Sequence, residues 1–108
     1  MEIESLAKNM QQFLDEVGTL DVEVYDTEKR CNYAKRIIIC TAKDNILARK
    51  VAHLLKDKFK TESQCFHTDG MIKGEWVILD FYDVIVHIFT TEARHKFNID
   101  KMWERTQI

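Results

Sequence analysis

Residues 74–89, with the sequence GEWVILDFYDVIVHIF, constrain the fold more than any other part of the chain. Two apolar runs, at about 75–80 and 84–89, flank a short connection at residues 81–83. So short a connection joins antiparallel neighbours, and the segment is therefore predicted to be a β-hairpin. The rest of the chain must then fold so that it covers the apolar side chains of this hairpin.

The two faces of the hairpin are predicted to differ, because successive side chains on a strand point in opposite directions. The first face carries Trp76, Ile78 and Asp80, and the second face carries Val77, Leu79 and Phe81. One face is expected to be core, and the other to present an aromatic ring beside a carboxylate. Exposed aromatic residues are enriched in protein interfaces, so the pattern favours a protein-binding surface. For Trp76 and for Phe81, simple burial in the core is an equally good explanation.

Hydrophobic periodicity predicts the remaining elements. Helices are predicted at residues 2–17, 45–60 and from Thr90 or Thr91 to about Phe97, with a last turn from Asp100, and strands at 20–25, 35–41 and 63–67. Gly18 is expected to end the first helix and Asp44 to cap the second. The chain is therefore predicted to be a single domain, residues 1–108, of the α/β (α+β) class. Its sheet is expected to be mixed, five-stranded and covered by helices.

The same periodicity predicts which side of each element is buried. In the first helix the buried stripe is predicted to be Ile3, Leu6, Ala7, Met10, Phe13, Leu14 and Val17, and in the second Leu47, Val51, Leu54, Leu55 and Phe59. In the first strand the apolar side is predicted to be Leu20, Val22 and Val24.

Composition excludes several classes of function. The net charge of −2 argues against a protein that binds nucleic acid through bulk positive charge. No apolar run approaches the ~18 residues of a membrane span. Acidic residues near the N-terminus argue against a secretory or transit peptide, so a cytoplasmic location is expected. Cys31, Cys40 and Cys65 are too few and too scattered for a disulfide framework, and we interpret them as reduced thiols.

Metal and cofactor chemistry have little support in the sequence. No glycine-rich turn opens a helix, as a phosphate-binding loop requires. Cys65 and His67 share a face of a predicted strand, and Cys40 and His87 can lie near them on other strands, so a tetrahedral zinc site is a weak alternative. Paired cysteine spacings typical of zinc sites are missing, and we therefore expect no metal and no cofactor.

Asp21 and Glu23 form the one carboxylate pair with catalytic spacing. Two residues apart on a strand, they are predicted to point to the same face. Nucleotidyltransferases hold two metal ions with such a pair. The preceding residues, 16–20, lack the glycine–serine turn that those enzymes use to bind a triphosphate. A solvated strand face is therefore the preferred explanation, and a nucleotide-binding protein using Asp21 and Glu23 is kept as the alternative.

The C-terminal half carries an ordered set of motifs that identifies a family. Asp69-Gly70 is followed by Trp76, then by Leu79-Asp80-Phe81-Tyr82-Asp83 and Val86-His87, and the tail continues with Arg94, Phe97, Ile99, Asp100 and Trp103. In order and spacing these residues resemble the signature of the ribosomal silencing factor family, also called iojap-like proteins. The chain departs from the family pattern at Lys35-Arg36, at Ala42-Lys43-Asp44 and at Tyr82, where the family has an aspartate–tyrosine pair, a glycine–asparagine–serine turn and a turn glycine.

The resemblance implies a fold related to nucleotidyltransferases but without their catalytic motif, and it implies a function without chemistry. Such proteins bind the large ribosomal subunit through its fourteenth protein. They thereby block joining of the small subunit and repress translation. The expected protein is therefore not an enzyme, and it has no membrane partner and no direct sequence-specific contact with nucleic acid.

The hairpin and the resemblance together point to one set of partner-binding residues. These are Trp76, Asp80, Phe81, Tyr82, Asp83, His87 and Arg94. Because Tyr82 replaces a turn glycine, its side chain is expected to project from the hairpin tip, either as an anchor or lying back over the hairpin. A homodimer that uses the same face on itself is a further hypothesis, and it is compatible with ribosome binding.

Overall fold

A computed structural model describes residues 2–108. The helices are α1 (Ile3–Glu16), α2 (Asn45–Lys58), α3 (Thr91–Phe97) and α4 (Asp100–Trp103). The strands are β1 (Leu20–Asp26), β2 (Arg36–Ala42), β3 (His67–Asp69), β4 (Trp76–Asp80) and β5 (Val84–Thr90). A short 3-10 helix, Glu104–Thr106, follows α4. Within residues 2–108, no helix has both the length and the apolar character to cross a bilayer.

The strands form one five-stranded sheet in the order β1-β2-β5-β4-β3. The central pair, β2 and β5, is parallel, and each of the other pairs is antiparallel. The predicted hairpin is β4 and β5, and the predicted mixed sheet is confirmed. Both central strands are buried along nearly their whole length, as expected for strands with helices on both faces.

Helices α1 and α2 cover one face of the sheet. Leu6, Met10 and Leu14 of α1 pack into the same core as Val51 and Leu55 of α2. The predicted stripe on α1 is confirmed, with Ile3, Phe13 and Val17 at its partly buried margin. Gly18 has φ of +100°, a conformation that favours glycine, and it follows directly where the helix ends. The Asp44 carboxylate accepts a hydrogen bond of 2.8 Å from the Leu47 amide, which confirms the predicted cap of α2.

Helices α3 and α4 cover only part of the opposite face. They contribute Ala93 and Trp103 to a second core with Tyr25 of β1 and the isoleucines Ile37 and Ile39 of β2. Helix α3 contacts β5 and β2. On this face Trp76 and Ile78 of β4 remain half-buried. The β3–β4 side of the second face is therefore left partly open.

An ion pair fastens the C-terminal helices to the sheet. The Arg94 guanidinium lies 2.9 Å from the Asp100 carboxylate and donates a hydrogen bond of 3.0 Å to the Thr41 hydroxyl. It also donates to the Asp21 carbonyl. The Tyr25 hydroxyl donates a hydrogen bond of 2.6 Å to the same carboxylate.

Burial opposes ionisation of Asp100, but the hydrogen bonds from Arg94 and Tyr25 outweigh this effect and hold the pKa of Asp100 below the ordinary value. Burial and the neighbouring Asp100 raise the pKa of Tyr25.

The last residues of the chain pair with the outer side of β1. Gln107 forms an antiparallel β-bridge with Tyr25, and the Ile108 amide donates a hydrogen bond of 2.9 Å to the Val24 carbonyl. The Gln107 side chain also donates to the Glu23 carboxylate.

Three sequence predictions need correction. The register of β1 shifts between Leu20 and Glu23, and Asp21 there has φ of +50°. This bulge breaks the alternation, so Leu20 is 60% exposed instead of buried. In α2 the buried stripe runs through Ala48 and Ala52, and Leu54 lies at its exposed margin. The third strand begins at His67, because residues 63–66 form the irregular approach to it.

Two leucines of different burial provide a matched test of this packing. Leu6→Ala removes buried methyl groups from the α1 core and is expected to cost about 2–5 kcal/mol in the free energy of unfolding. Leu20→Ala changes an exposed side chain and is expected to stay within about 0.5 kcal/mol of wild type. Denaturant unfolding measures both variants. Equal losses in the two variants would contradict this placement of α1.

Candidate protein-binding site

The uncovered part of the second sheet face forms one continuous surface across β3, β4 and β5. Asp69, Ile78 and His87 lie side by side on these three strands, so their side chains share this face. Trp76 and Asp80 of β4 lie two residues on either side of Ile78 and share it too. We call these five side chains the open face. Its apolar part is Trp76 and Ile78. Asp80 lies at the hairpin end of β4, and Asp69 lies beside Ile78 on the edge strand β3.

Trp76 is held rigidly within the open face. Its ring stacks on Phe89 at 5.0 Å between centroids and contacts Phe97 of α3 at 4.9 Å. The indole N–H donates a 3.0 Å hydrogen bond to Nδ1 of His87. A half-buried aromatic side chain that is already ordered loses little entropy when a partner covers it. Trp76 therefore has the properties of an interface anchor.

His87 is a neutral hydrogen-bond acceptor at this site. Burial lowers its pKa to about 4, although the negative charge of Asp100 opposes this shift. The imidazole is therefore uncharged near neutral pH, and its Nδ1 is free to accept from Trp76. A protonated ring has no acceptor nitrogen, so its neutrality maintains the position of the indole.

A groove of about 510 Å³ extends the open face beside Trp76. Met71 and Ile72 line it from the β3–β4 loop, and Phe97 lines it from α3. The loop approaches β4 so closely that a Cβ atom at Gly70 would lie 1.9 Å from the Trp76 carbonyl oxygen. Ile72 is 96% exposed at the groove edge. Sequence reasoning missed this groove, although apolar residues between Gly70 and a second glycine were an available signal.

Two of the predicted partner-binding residues prove to be structural. Phe81 is 2% exposed and its ring belongs to the core beneath α1 and α2, so we remove it from the contact surface. Arg94 was expected to face a partner, but its guanidinium is engaged with Asp100 and with the sheet. Its position makes it a link between α3, α4 and β2, and we correct its assignment accordingly.

Tyr82 and Asp83 lie at the hairpin tip, at the other end of β4 from Trp76. Tyr82 is 71% exposed, which confirms that its side chain projects. Its φ of +77° is uncommon for a residue with a side chain. Its amide donates a hydrogen bond of 2.8 Å to the Asp80 carboxylate. Its ring meets the exposed ring of Phe66 edge-on at 6.1 Å.

The residues suspected of metal or nucleotide chemistry are not brought together. Cys40 faces the α1–α2 core, whereas His87 lies on the opposite face of the sheet. Burial raises the pKa of the Cys40 thiol to about 12. In residues 2–108, no group of three or more histidine, cysteine or acidic side chains is placed to hold a metal ion. The bulge at Asp21 also removes the regular alternation on which the pairing of Asp21 with Glu23 depended.

Comparison with known protein sequences assigns the chain to a family. The family model described as ribosomal silencing factor during starvation matches residues 1–108. The chain belongs to the ribosomal silencing factor family, RsfS. The RsfS protein of Chromobacterium violaceum is 28% identical over 104 residues, covering 95% of this chain and 85% of that protein. The RsfS protein of Bacillus subtilis is 26% identical over 104 residues, covering 95% and 88%.

A plant relative and two solved structures are also similar to the chain. The chloroplastic protein Iojap of Zea mays is 24% identical over 99 residues, covering 92% of this chain and 43% of that protein. A crystal structure of a Chromobacterium violaceum protein has a TM-score of 0.91 and 28% identity, covering 96% of this chain and 88% of that one. A Bacillus halodurans structure, with a TM-score of 0.84, 21% identity and 97% coverage of both chains, shows the same fold. The relation to nucleotidyltransferases stays a prediction.

The pKa of His87 predicts how stability depends on pH. Its folded-state pKa lies below the ordinary value, so as pH falls the unfolded chain takes up this proton first. The stabilisation from neutral His87 is therefore complete above about pH 6.5 and is lost as pH falls towards 4, by an amount of the order of 3 kcal/mol. Denaturant unfolding between pH 7.5 and pH 4 measures this loss.

A glutamine at position 87 isolates the contribution of the imidazole, because its amide oxygen accepts a hydrogen bond but does not titrate. His87→Gln is expected to lose distinctly less stability than wild type over this pH interval. The exposed His53→Gln variant is the matched control and is expected to follow wild type. Identical pH profiles for wild type and His87→Gln would show that His87 is not held neutral by its surroundings.

Proposed function

We propose that this protein binds the large ribosomal subunit through its fourteenth protein, blocks joining of the small subunit and thereby represses translation. The observation that carries the proposal is the open face of the sheet, apolar at Trp76 and Ile78 and acidic at Asp69 and Asp80, in a chain of the RsfS family. On this proposal the protein acts by occupying a surface, and no catalytic residue, metal or cofactor takes part.

The apolar part of the open face supports a protein as the partner. Trp76, Ile72 and Phe97 present ordered aromatic and aliphatic area beside a groove, and central residues of this kind supply most of the energy of many interfaces. His87 contributes through Trp76, because it fixes the indole by accepting its hydrogen bond. The partner is then expected to insert an apolar side chain next to Trp76.

The charge of the open face supports a basic protein surface within an RNA-rich particle. Asp69 lies on the edge strand β3, Asp80 lies at the end of β4, and Asp83 lies beyond Asp80 at the hairpin tip. With a net charge of −2, the chain is repelled by RNA phosphates and attracted to a basic protein patch. We propose Asp80, Tyr82 and Asp83 as the acidic end of the contact. From Trp76 to Asp80 the strand extends about 13 Å, and the hairpin tip lengthens the surface beyond Asp80.

Two exposed isoleucines near opposite edges of the sheet test the location of the site. Ile72→Asp places a charge at the groove edge and is expected to weaken sedimentation with purified 50S subunits at least about tenfold, because a charge buried without a partner is costly. Ile108→Asp changes a residue that is also exposed, 68%, but lies beside β1, at the opposite edge of the sheet from β3. It is expected to leave 50S binding unchanged.

The same sedimentation assay includes two further controls. With 30S subunits alone no co-sedimentation is expected, and with both subunits the wild-type protein should reduce 70S formation. Equal binding by Ile72→Asp and Ile108→Asp would remove the open face from the site. A protein that sediments as a dimer, and loses that state only in Ile72→Asp, would instead assign the face to self-association.

Charge reversal tests the acidic end of the contact separately. The double variant Asp80→Lys, Asp83→Lys is expected to weaken 50S binding by about 2–5 kcal/mol if these carboxylates are desolvated against basic groups, and by much less at a solvated rim. Circular dichroism and denaturant unfolding establish that the variant folds. Unchanged 50S binding by the folded double variant would exclude both carboxylates from the contact.

A further inference from the structure

A second groove, of about 530 Å³, lies at the hairpin tip, away from Trp76. Tyr82 and Asp83 of the β4–β5 turn line one part of it, and Tyr33 and Lys35 of the β1–β2 connection line another. Asp80 and Glu28 also contribute to the lining. The groove therefore combines two exposed tyrosine rings with three carboxylates and one ammonium group.

The carboxylates of this groove are only partly neutralised by the protein itself. Glu28 lies 4.0 Å from the Arg36 guanidinium, which is itself 3.2 Å from Asp26. In residues 2–108, neither Asp80 nor Asp83 has a lysine or arginine nitrogen within 4 Å. With three acids against Lys35, the lining carries a net charge of −2. A positively charged ligand therefore fits this groove electrostatically.

The two tyrosines favour a guanidinium over an ammonium group as the ligand. A guanidinium is planar, stacks on aromatic faces and forms paired hydrogen bonds with a carboxylate, whereas an ammonium does neither as well. Tyr82 and Tyr33 are both exposed, so their rings are available to such a ligand. The Asp80 carboxylate supports the turn by accepting the Tyr82 amide, and Phe66 supports the Tyr82 ring from outside the groove.

We propose that the hairpin-tip groove is a binding site for an arginine side chain carried by a protein partner. The guanidinium stacks on Tyr82 and Tyr33 and pairs with Asp83, and Asp80 adds negative charge at the edge. This inference deepens the proposed function, on which it rests for the identity of the partner as a ribosomal protein. The chemistry of the groove itself is tested without a ribosome.

The test is a titration of the isolated, isotope-labelled protein followed by NMR. The probe is Nα-acetyl-arginine amide, which presents the side chain without a free carboxylate. Saturable shifts are expected in the resonances of Tyr33, Tyr82 and Asp83. The matching lysine amide is expected to bind more weakly, and the neutral citrulline amide is expected to give no saturable shift.

Variants test whether the NMR shifts come from binding in the hairpin-tip groove. Glycine adopts a φ of +77° without strain, so the Tyr82→Gly variant is expected to fold. It should weaken arginine-amide binding about threefold to fivefold, the change expected when an exposed cation–π contact is lost. Asp83→Asn should weaken it similarly, whereas the exposed Glu92→Gln on α3, at the other end of β5, should bind as wild type does.

The outcomes separate this inference from the proposed function. Absence of saturable shifts, equal binding of the citrulline amide, or wild-type binding by Tyr82→Gly would overturn the arginine site even if 50S binding is intact. Saturable, Tyr82-dependent binding of the arginine amide in a protein that does not bind 50S subunits would support the site and contradict the ribosomal function.

Discussion

The parallel pairing of β2 with β5 is the constraint on which the rest of the structure depends. Both strands are apolar on both faces, so each face of the sheet needs a helical cover. The long helices α1 and α2 supply one cover completely. The other is supplied by α3 and α4, which have only seven and four residues and reach β1, β2 and β5. The open face follows from this difference in helix length.

The Arg94–Asp100 pair keeps the short cover in place. A four-residue helix has little cohesion of its own, because most helical stability comes from packing. The guanidinium joins α3 and α4 to Thr41 of β2, and the Tyr25 hydroxyl joins the same carboxylate to β1. Position 94 thus controls how far the second face is covered and, indirectly, the position of the Phe97 ring against Trp76.

Much of the fold was predictable from sequence because the strong patterns are local. The α1 stripe, the Ile37–Ile39 run and the β4–β5 hairpin each follow from the spacing of neighbouring residues. The bulge at Asp21 was not predictable, because its left-handed conformation leaves no mark on the apolar pattern. The roles of Phe81 and Arg94 were also not predictable. That of Phe81 depends on which side of the hairpin α2 covers, and that of Arg94 depends on its pairing with Asp100, six residues further on. The groove formed by Ile72 and Phe97 required the tertiary arrangement of a loop and a helix.

The pairing of residues 107 and 108 with β1 has a consequence for association between molecules. An unpaired outer strand exposes amide and carbonyl groups that can recruit a strand from another chain. Here the Ile108 amide and Gln107 occupy part of that side of β1, and the bulge at Asp21 distorts more of it. At the opposite end of the sheet β3 has only three residues. Both edges are therefore poor templates for edge-to-edge aggregation, so the sheet can leave an apolar face uncovered for a partner without offering a long free edge beside it.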